Sequence, residues 1–496
     1  MRLFVFFASV ALLGIGLETA ATGDDFVRPI AVAEAHRTLD AALLSALREP
    51  ALAPRAALAI GRTKRFAGAA ALRARASSAD PQTRAMCAYA LGLLDDAGSL
   101  GVLRRLARTD RNSAVRYAAV DAIGRVVRAT GAPDAALARD LIAVARGDSD
   151  AVVRAHAAAQ FDAFAPRTQA PGSRDLRALP PRAYALALET IVRRDRDAAV
   201  RWHAAWALFR GFAANADGTY LRAAAHDRDE LVRVETARAL GRRSKDARAK
   251  ALASTLLDDP SWRVQYEARE AVRRLGGMSP TEHLVAVPAG IHLPVLPDAS
   301  PAAAAAVPSP GVAPQPRPSA APDPATYPLP PLPVLRDATA LDGPGPGPHP
   351  RVAIATTKGD VVVRLYPEWA PSTVANFLAL ARSGYFDGNR WFRIVPDFVV
   401  QTGDPTDTGD GDAGYAIPAE ENPIEQRTGI VAMGLNYAGS RAIRDSAGTQ
   451  FYVTLSPQLH LDRDFSVFGE IESGTDVLAN LIESDWMIRV RQIDDR

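Results

Sequence analysis

Phe386-Asp387-Gly388-Asn389-Arg390-Trp391-Phe392-Arg393-Ile394-Val395-Pro396-Asp397-Phe398-Val399-Val400-Gln401-Thr402-Gly403-Asp404-Pro405 is the densest motif in this chain of 496 residues. Two β-type runs, 390–395 and 398–402, flank a Pro-Asp pair and stop at a glycine, the punctuation of short antiparallel strands. Working outward, 352–356 and 361–366 alternate as a hairpin around Lys358-Gly359. Pro371 then opens a run with apolar residues at helical spacing that ends at Gly384, which predicts a helix. Further β-type runs at 430–433, 450–455 and 466–471 suit a small antiparallel barrel plugged by a helix or two.

The quoted motif resembles the catalytic signature of the cyclophilins, and the resemblance extends from about Arg351 to the C-terminus. It implies a closed antiparallel β-barrel with capping helices and peptidyl-prolyl cis-trans isomerase activity without a cofactor or metal. On it, Arg393 is the catalytic arginine, Phe398 lines the proline pocket and Gln401 hydrogen-bonds the substrate backbone. Val399 takes a place usually held by Met or another apolar residue. Gly448-Thr449-Gln450-Phe451-Tyr452-Val453 is similar to a second family segment, which gives Gln450 a substrate-facing role and makes Tyr452 a pocket wall. A third runs from Ser456 to Gly469, where Leu461 closes the pocket, His460 stands where cyclosporin-sensitive members carry Trp, and Phe465 where many have His or Tyr. Poor affinity for cyclosporin is the expectation from His460. Gly434, Leu435 and Asn436 replace a segment that contacts the substrate backbone, and the stretch 436–447, with Arg441 and Arg444, is longer than usual.

The chemistry asked of such a site is modest in kind and large in barrier. Rotation about an X-Pro amide crosses ~18–20 kcal/mol, so uncatalysed exchange takes tens of seconds or longer. A catalyst needs an apolar seat for the proline ring and a fixed donor that addresses the prolyl nitrogen as it pyramidalises. Arg393, always charged and forked, suits that task. A scaffold that binds proline-containing segments without useful turnover is the alternative, favoured by the altered rim and longer loop.

Between about 24 and 277 the chain is rich in Ala, Leu and Arg and repeats a unit of an acidic residue, a short gap, Val-Arg and an Ala-rich helix. About 32 residues separate Arg84 from Arg116, Arg201 from Arg233, and Arg233 from Gln265, with longer steps around Arg154. A period in this range predicts stacked helical hairpins. The region resembles HEAT-like repeats, in which each Arg pairs with an acid of a neighbour; Asp80, Asp150, Asp227 and Asp259 are the candidate acids. Residues 164–181 should form a loop. His156 and His203 follow the Val-Arg pair at equivalent places without a zinc-ligand set. A protein partner for the repeats is plausible, and nothing in them names it.

Residues 278–350 are Pro- and Ala-rich and predict a semi-rigid spacer between solenoid and barrel. Residues 1–21 read as a secretory signal, with an apolar run too short to span a bilayer and small residues at its end. The expected organisation is therefore signal 1–21, HEAT-like repeats 24–277, linker 278–350 and cyclophilin-like domain 351–496. Export with a single cysteine, Cys87, points to a bacterial periplasm, with no integral membrane segment after cleavage. With 48% apolar and 23% charged residues and a net charge of +2, the composition is that of ordinary soluble protein. Lys and Arg are interleaved with acids, so no basic stripe for nucleic acid is present. The acidic loop 404–412 lacks the order of a calcium-binding loop.

Overall fold

The computed structural model describes residues 23–131, 135–165, 181–213, 218–243, 246–276, 320–327, 329–341, 343–344, 349–439 and 441–493. The expected signal, most of the 164–181 loop and the linker up to 319 lie outside the described residues.

The N-terminal part is a stack of helical hairpins. Helices Ala53–Thr63, Pro81–Leu93, Ser113–Thr130, Ala151–Ala159, Ala198–Ala207, Glu230–Leu240 and Trp262–Arg274 pack each on the next and alternate with shorter or more exposed helices. Small residues let these helices approach closely: a Cβ on Gly92 would lie 2.6 Å from the Ala122 Cα.

The repeat arginines do stitch the stack, by a relay that the sequence reading placed only in part. Arg84 pairs with Asp110, Arg116 with Asp148, Arg154 with Asp195, Arg201 with Asp227 and Arg233 with Asp259, each through Nε and Nη2 at 2.7–3.2 Å. Asp227 and Asp259 were thus correct candidates, but Asp80 and Asp150 cap their own helices, accepting from Gln82 and Thr83 N and from Val152 N. The reason is an Asp-x-Asp/Asn/Ser pattern at each hairpin. Its first member takes the arginine of the preceding repeat, and its second sits at the N-cap of the next helix, where a short oxygen-bearing side chain can satisfy orphan N–H groups. Each arginine also donates Nη1 to the carbonyl six residues before it.

The C-terminal part is an eight-stranded antiparallel sheet of β1 (Arg351–Thr356), β2 (Gly359–Leu365), β3 (Arg393–Val395), β4 (Val399–Thr402), β5 (Ile430–Met433), β8 (Phe451–Thr454), β9 (Val467–Ser473) and β10 (Met487–Ile493). The two-residue strands β6 (Tyr437–Ala438) and β7 (Arg441–Ala442) form a separate hairpin. Strand order is β10-β1-β2-β9-β5-β8-β4-β3. The ends do not close by a regular ladder, as a closed barrel implied. The chain leading into β3 bridges to β10 instead, with Gly388 N donating to Met487 O, Met487 N to Asn389 O and Trp391 N to Asp485 O. One face of the curled sheet packs Val352, Val363, Val400, Phe451 and Phe468 around Phe377 of the helix Pro371–Arg382.

Two arrangements differ from the expected spacer and its separated domains. Residues 329–341 lie along the solenoid: Leu332, Leu335, Ala338 and Leu341 are buried, Asn112 donates to the Leu335 and Arg336 carbonyls, and Ala338 N donates to Ser113 Oγ. Regular apolar residues between the prolines supply the surface that polyproline alone lacks. The barrel is docked on the stacked row of helices from one end to the other. Arg62, wholly buried, donates to the carbonyls of Trp369, Glu420 and Glu421; Arg55 donates to Glu368 O. In the middle, Asp121 and His156 hold Arg463, while His203 meets Glu425 at 3.2 Å. At the far end Arg238 binds Asp397 at 2.8 Å, and Arg263 donates to Leu455 O. The longer segment 436–447 takes part: Arg444 grips Glu421 through two nitrogens and donates to Arg62 O. Buried Val399, Ile430, Ala432, Tyr452 and Val467 join the apolar cluster of the solenoid.

Candidate active site

Antiparallel register builds the site as a row across the sheet. Arg393 of β3 lies opposite Gln401 of β4, Gln401 opposite Tyr452 of β8, and Tyr452 opposite Ala432 of β5. Directly opposed residues share a face, so four strands present these side chains together. Arg393 is exposed and donates Nη1 to Gln401 Oε1 at 3.2 Å. Gln401 Nε2 donates to Gln450 Oε1 at 3.0 Å, and Gln450 Nε2 is fixed by the carbonyls of Gly409 and Gly411. The chain of amides holds one end of the guanidinium while the rest of its fork is left for a ligand.

Beside the row lies an apolar step. Phe398 is half-buried, stands 5.3 Å from the Arg393 guanidinium carbon and stacks on His460 with centroids 5.6 Å apart and planes 16° apart. Leu461 and Leu435 are half-buried on the same cluster as Val399, Tyr452 and Phe465. Tyr452 and Phe465 meet edge to face at 5.6 Å, and the Tyr452 hydroxyl donates to Gln426 Oε1 at 2.7 Å. Of the expected substrate-contacting residues, Val399, Tyr452 and Phe465 are buried behind this surface, whereas His460 and Asn436 are exposed. Gly434 N donates to Gln450 O, and a Cβ there would press Gln401 Nε2 at 3.2 Å, so the glycine leaves room for the amide chain. Asn436 N is held by Ser446 Oγ at the base of the β6–β7 hairpin.

Sequence reasoning missed three contributors. Tyr437, on that hairpin, is exposed and near enough to Arg393 to feel its charge. Gln426 ties Tyr452 to the third motif by donating to the Leu461 carbonyl. Asp404 is fully buried and accepts from Thr406, Thr408 and Gly409 N–H groups, ordering the loop whose carbonyls fix Gln450. An Asp opening a Thr- and Gly-rich loop was the available signal. Among the described residues no group of three or more His, Cys, Asp or Glu is set to hold a metal.

Asp397, one residue before Phe398, has left-handed backbone (φ 54°) and is buried against the solenoid. Burial pushes its carboxyl up to about 7, against the pull of Arg238 and Arg263 and with Glu267 pushing the same way. A native carboxyl that keeps its proton while the unfolded one, near ~3.9, has lost it makes stability fall as pH rises between those values. The melting temperature of the wild type minus that of Asp397→Asn should therefore fall as pH climbs from about 4 to about 7. A difference that is flat or rises across this window contradicts that assignment.

Residues 351–492 match the family described as cyclophilin type peptidyl-prolyl cis-trans isomerase, and 41–124, 69–162 and 185–273 match HEAT repeats. Peptidyl-prolyl cis-trans isomerase B of Bacillus subtilis (strain 168) is 42% identical over 129 residues, 26% of this chain and 86% of that protein. This chain belongs to the cyclophilin-type peptidyl-prolyl isomerases. Peptidyl-prolyl cis-trans isomerase-like 1 of Homo sapiens is 36% identical to this isomerase over 147 residues, 29% of this chain and 86% of the relative. A crystal structure of a Cryptosporidium parvum cyclophilin type isomerase shares 27% identity and covers 30% of this chain and all of its own, with a TM-score of 0.28. An isomerase needs one positioned cation beside an apolar seat, and the structure sets Arg393 beside Phe398 and Gln401. A guanidinium hydrogen-bonded to a prolyl nitrogen would compete with amide resonance and so lower the rotational barrier.

Proposed function

We propose that this chain is an exported isomerase that speeds proline-limited folding of polypeptide clients, with its solenoid serving both as the mount of the catalytic barrel and as a surface for a protein partner. The observation that carries the reading is the Arg393–Gln401–Gln450 chain beside half-buried Phe398 and exposed His460, which also borders the cleft between the domains. The short apolar run ending in small residues supports export, and no helix among the described residues is long and apolar enough to cross a membrane. Because the stacked helix row is engaged by the barrel, a partner is left the other helices and the solenoid edges.

The client role is tested by refolding a protein whose slow phase is a prolyl isomerisation, with catalytic amounts of the full chain. Acceleration of that phase, absent with Arg393→Ala, supports it; an unchanged slow phase refutes it. Export is tested by fusing residues 1–30 to a reporter that is active only outside the bacterial cytoplasm. An active, shortened reporter is expected, and an inactive one at full size contradicts it.

A further inference from the structure

Next to the proline site a cleft of about 570 Å³ opens between the two domains. Arg128, Trp206 and Arg210 line it from the solenoid, and Arg441, His460 and Asp464 from the barrel. His460 belongs to two walls at once, since its ring stacks on Phe398 in the proline site and also borders this cleft. The two spaces therefore share the wall that this one side chain forms.

Charge in the cleft is uneven. Arg128 is occupied by Asp162 at 2.6 Å and Gln160 at 2.8 Å, and Arg125 by the Arg463 carbonyl at 3.0 Å with Asp95 at 3.9 Å. Arg210 and Arg441 are exposed and make no ion pair among the described residues; Asp464 is the one lining acid in the same condition. Arg210 is also displayed by an irregular backbone. It lies in the π-helical turn Leu208–Phe212 that follows Ala198–Ala207, its guanidinium carbon 5.8 Å from the Trp206 ring. Such turns break the helical ladder and recur at functional sites. The next residue must be small, because a Cβ on Gly211 would lie 2.2 Å from the Ala165 Cβ. Arg210 and Arg238 also bear on His460: the crowding of both domains, then these two charges, lower it to about 4, so the ring stays neutral and competes for no anion although its edge reaches solvent.

We propose that the cleft is a second subsite of the isomerase, built by both domains, in which Arg210 and Arg441 receive the carboxylate of an Asp or Glu that flanks the target proline in the polypeptide substrate. The chain leaving the proline seat past His460 enters the cleft, and an acidic side chain there meets two unpaired guanidiniums that suit carboxylate geometry. This rests on the barrel acting on X-Pro segments and adds the class of sequence it prefers.

The test uses the full chain and labelled peptides holding one Ala-Pro, with Glu, Gln or Lys placed singly at each of several positions on either side. Binding is read by fluorescence polarisation and turnover by NMR exchange on the same peptides. The readout is the Glu-to-Gln ratio within each protein, so a general loss of activity cancels. At one position or more, Glu should be favoured by about fivefold, as expected of a partly exposed ion pair, less at raised salt. Arg210→Glu and, independently, Arg441→Glu should each bring that ratio to one or below. Equal Glu and Gln peptides at every position, a ratio that survives both variants, or binding of no peptide overturns the proposal. Acid-dependent binding without turnover leaves the subsite standing and sinks the isomerase reading instead.

Discussion

Arg393→Ala lowers the rate of X-Pro isomerisation by ~10²–10³-fold while leaving the fold intact, because a preorganised charged donor is worth ~3–4 kcal/mol in a transition state. Arg393 is exposed and, among the described residues, its side chain makes one hydrogen bond, to Gln401, so its loss leaves no buried charge orphaned. The effect should fall on kcat/KM with little change in melting temperature. Arg393→Lys is not a conservative rescue: a point charge cannot keep a planar fork bonded to Gln401 and aimed at the substrate together. NMR exchange on a short Ala-Pro peptide measures both variants. An Arg393→Ala rate within threefold of wild type would remove Arg393 from the mechanism.

The largest expected effect on stability lies far from that chemistry. Asp121 is buried in the solenoid, where His156 at 2.9 Å and the Arg463 guanidinium surround it, and the His156 ring stacks on Tyr117 at 4.0 Å. Against the burial that would raise it, Arg463 and His156 hold its carboxyl well below the usual range. Arg463→Ala leaves that charge in a dry interface with the His156 imidazole alone, a ring that burial and then Arg463 hold down to about 4 in the wild type. Breaking such a pair costs ~3–5 kcal/mol, so thermal unfolding should come on the order of 5–10 °C lower. Replacing both partners by leucine should recover much of the loss, since no orphaned charge remains. A single variant as stable as the wild type, by circular dichroism melting, contradicts a docked interface at this point.

The placing of the candidate site residues in one row was legible because strands report their own pairing. Arg393, Phe398, Val399 and Gln401 sit in nine consecutive residues, and register brings Tyr452 and Gln450 to them. The repeat arginines were legible for a similar reason, a period repeated several times. Their partners were less so: with two acids spaced by one residue, only the turn decides that Asp148 meets Arg116 and Asp150 caps a helix. Docking of the domains left almost no local trace. Arg62, Asp121, His156 and Arg238 each read as ordinary polar residues of amphipathic helices, and their partners lie hundreds of residues away in most cases. The unusual length of 436–447 was visible in sequence, but the clasp of Arg444 on Glu421 and Arg62 was not.

Joining of the two domains into one unit, with the catalytic rim at their junction, is measured most directly by small-angle X-ray scattering of the full chain in solution. The docked arrangement predicts a profile that fits a solenoid with the barrel seated along its helix row, and a pair-distance distribution with a single main peak. A distribution with two resolved peaks, fitted only by a barrel held away from the solenoid on an extended linker, would contradict it.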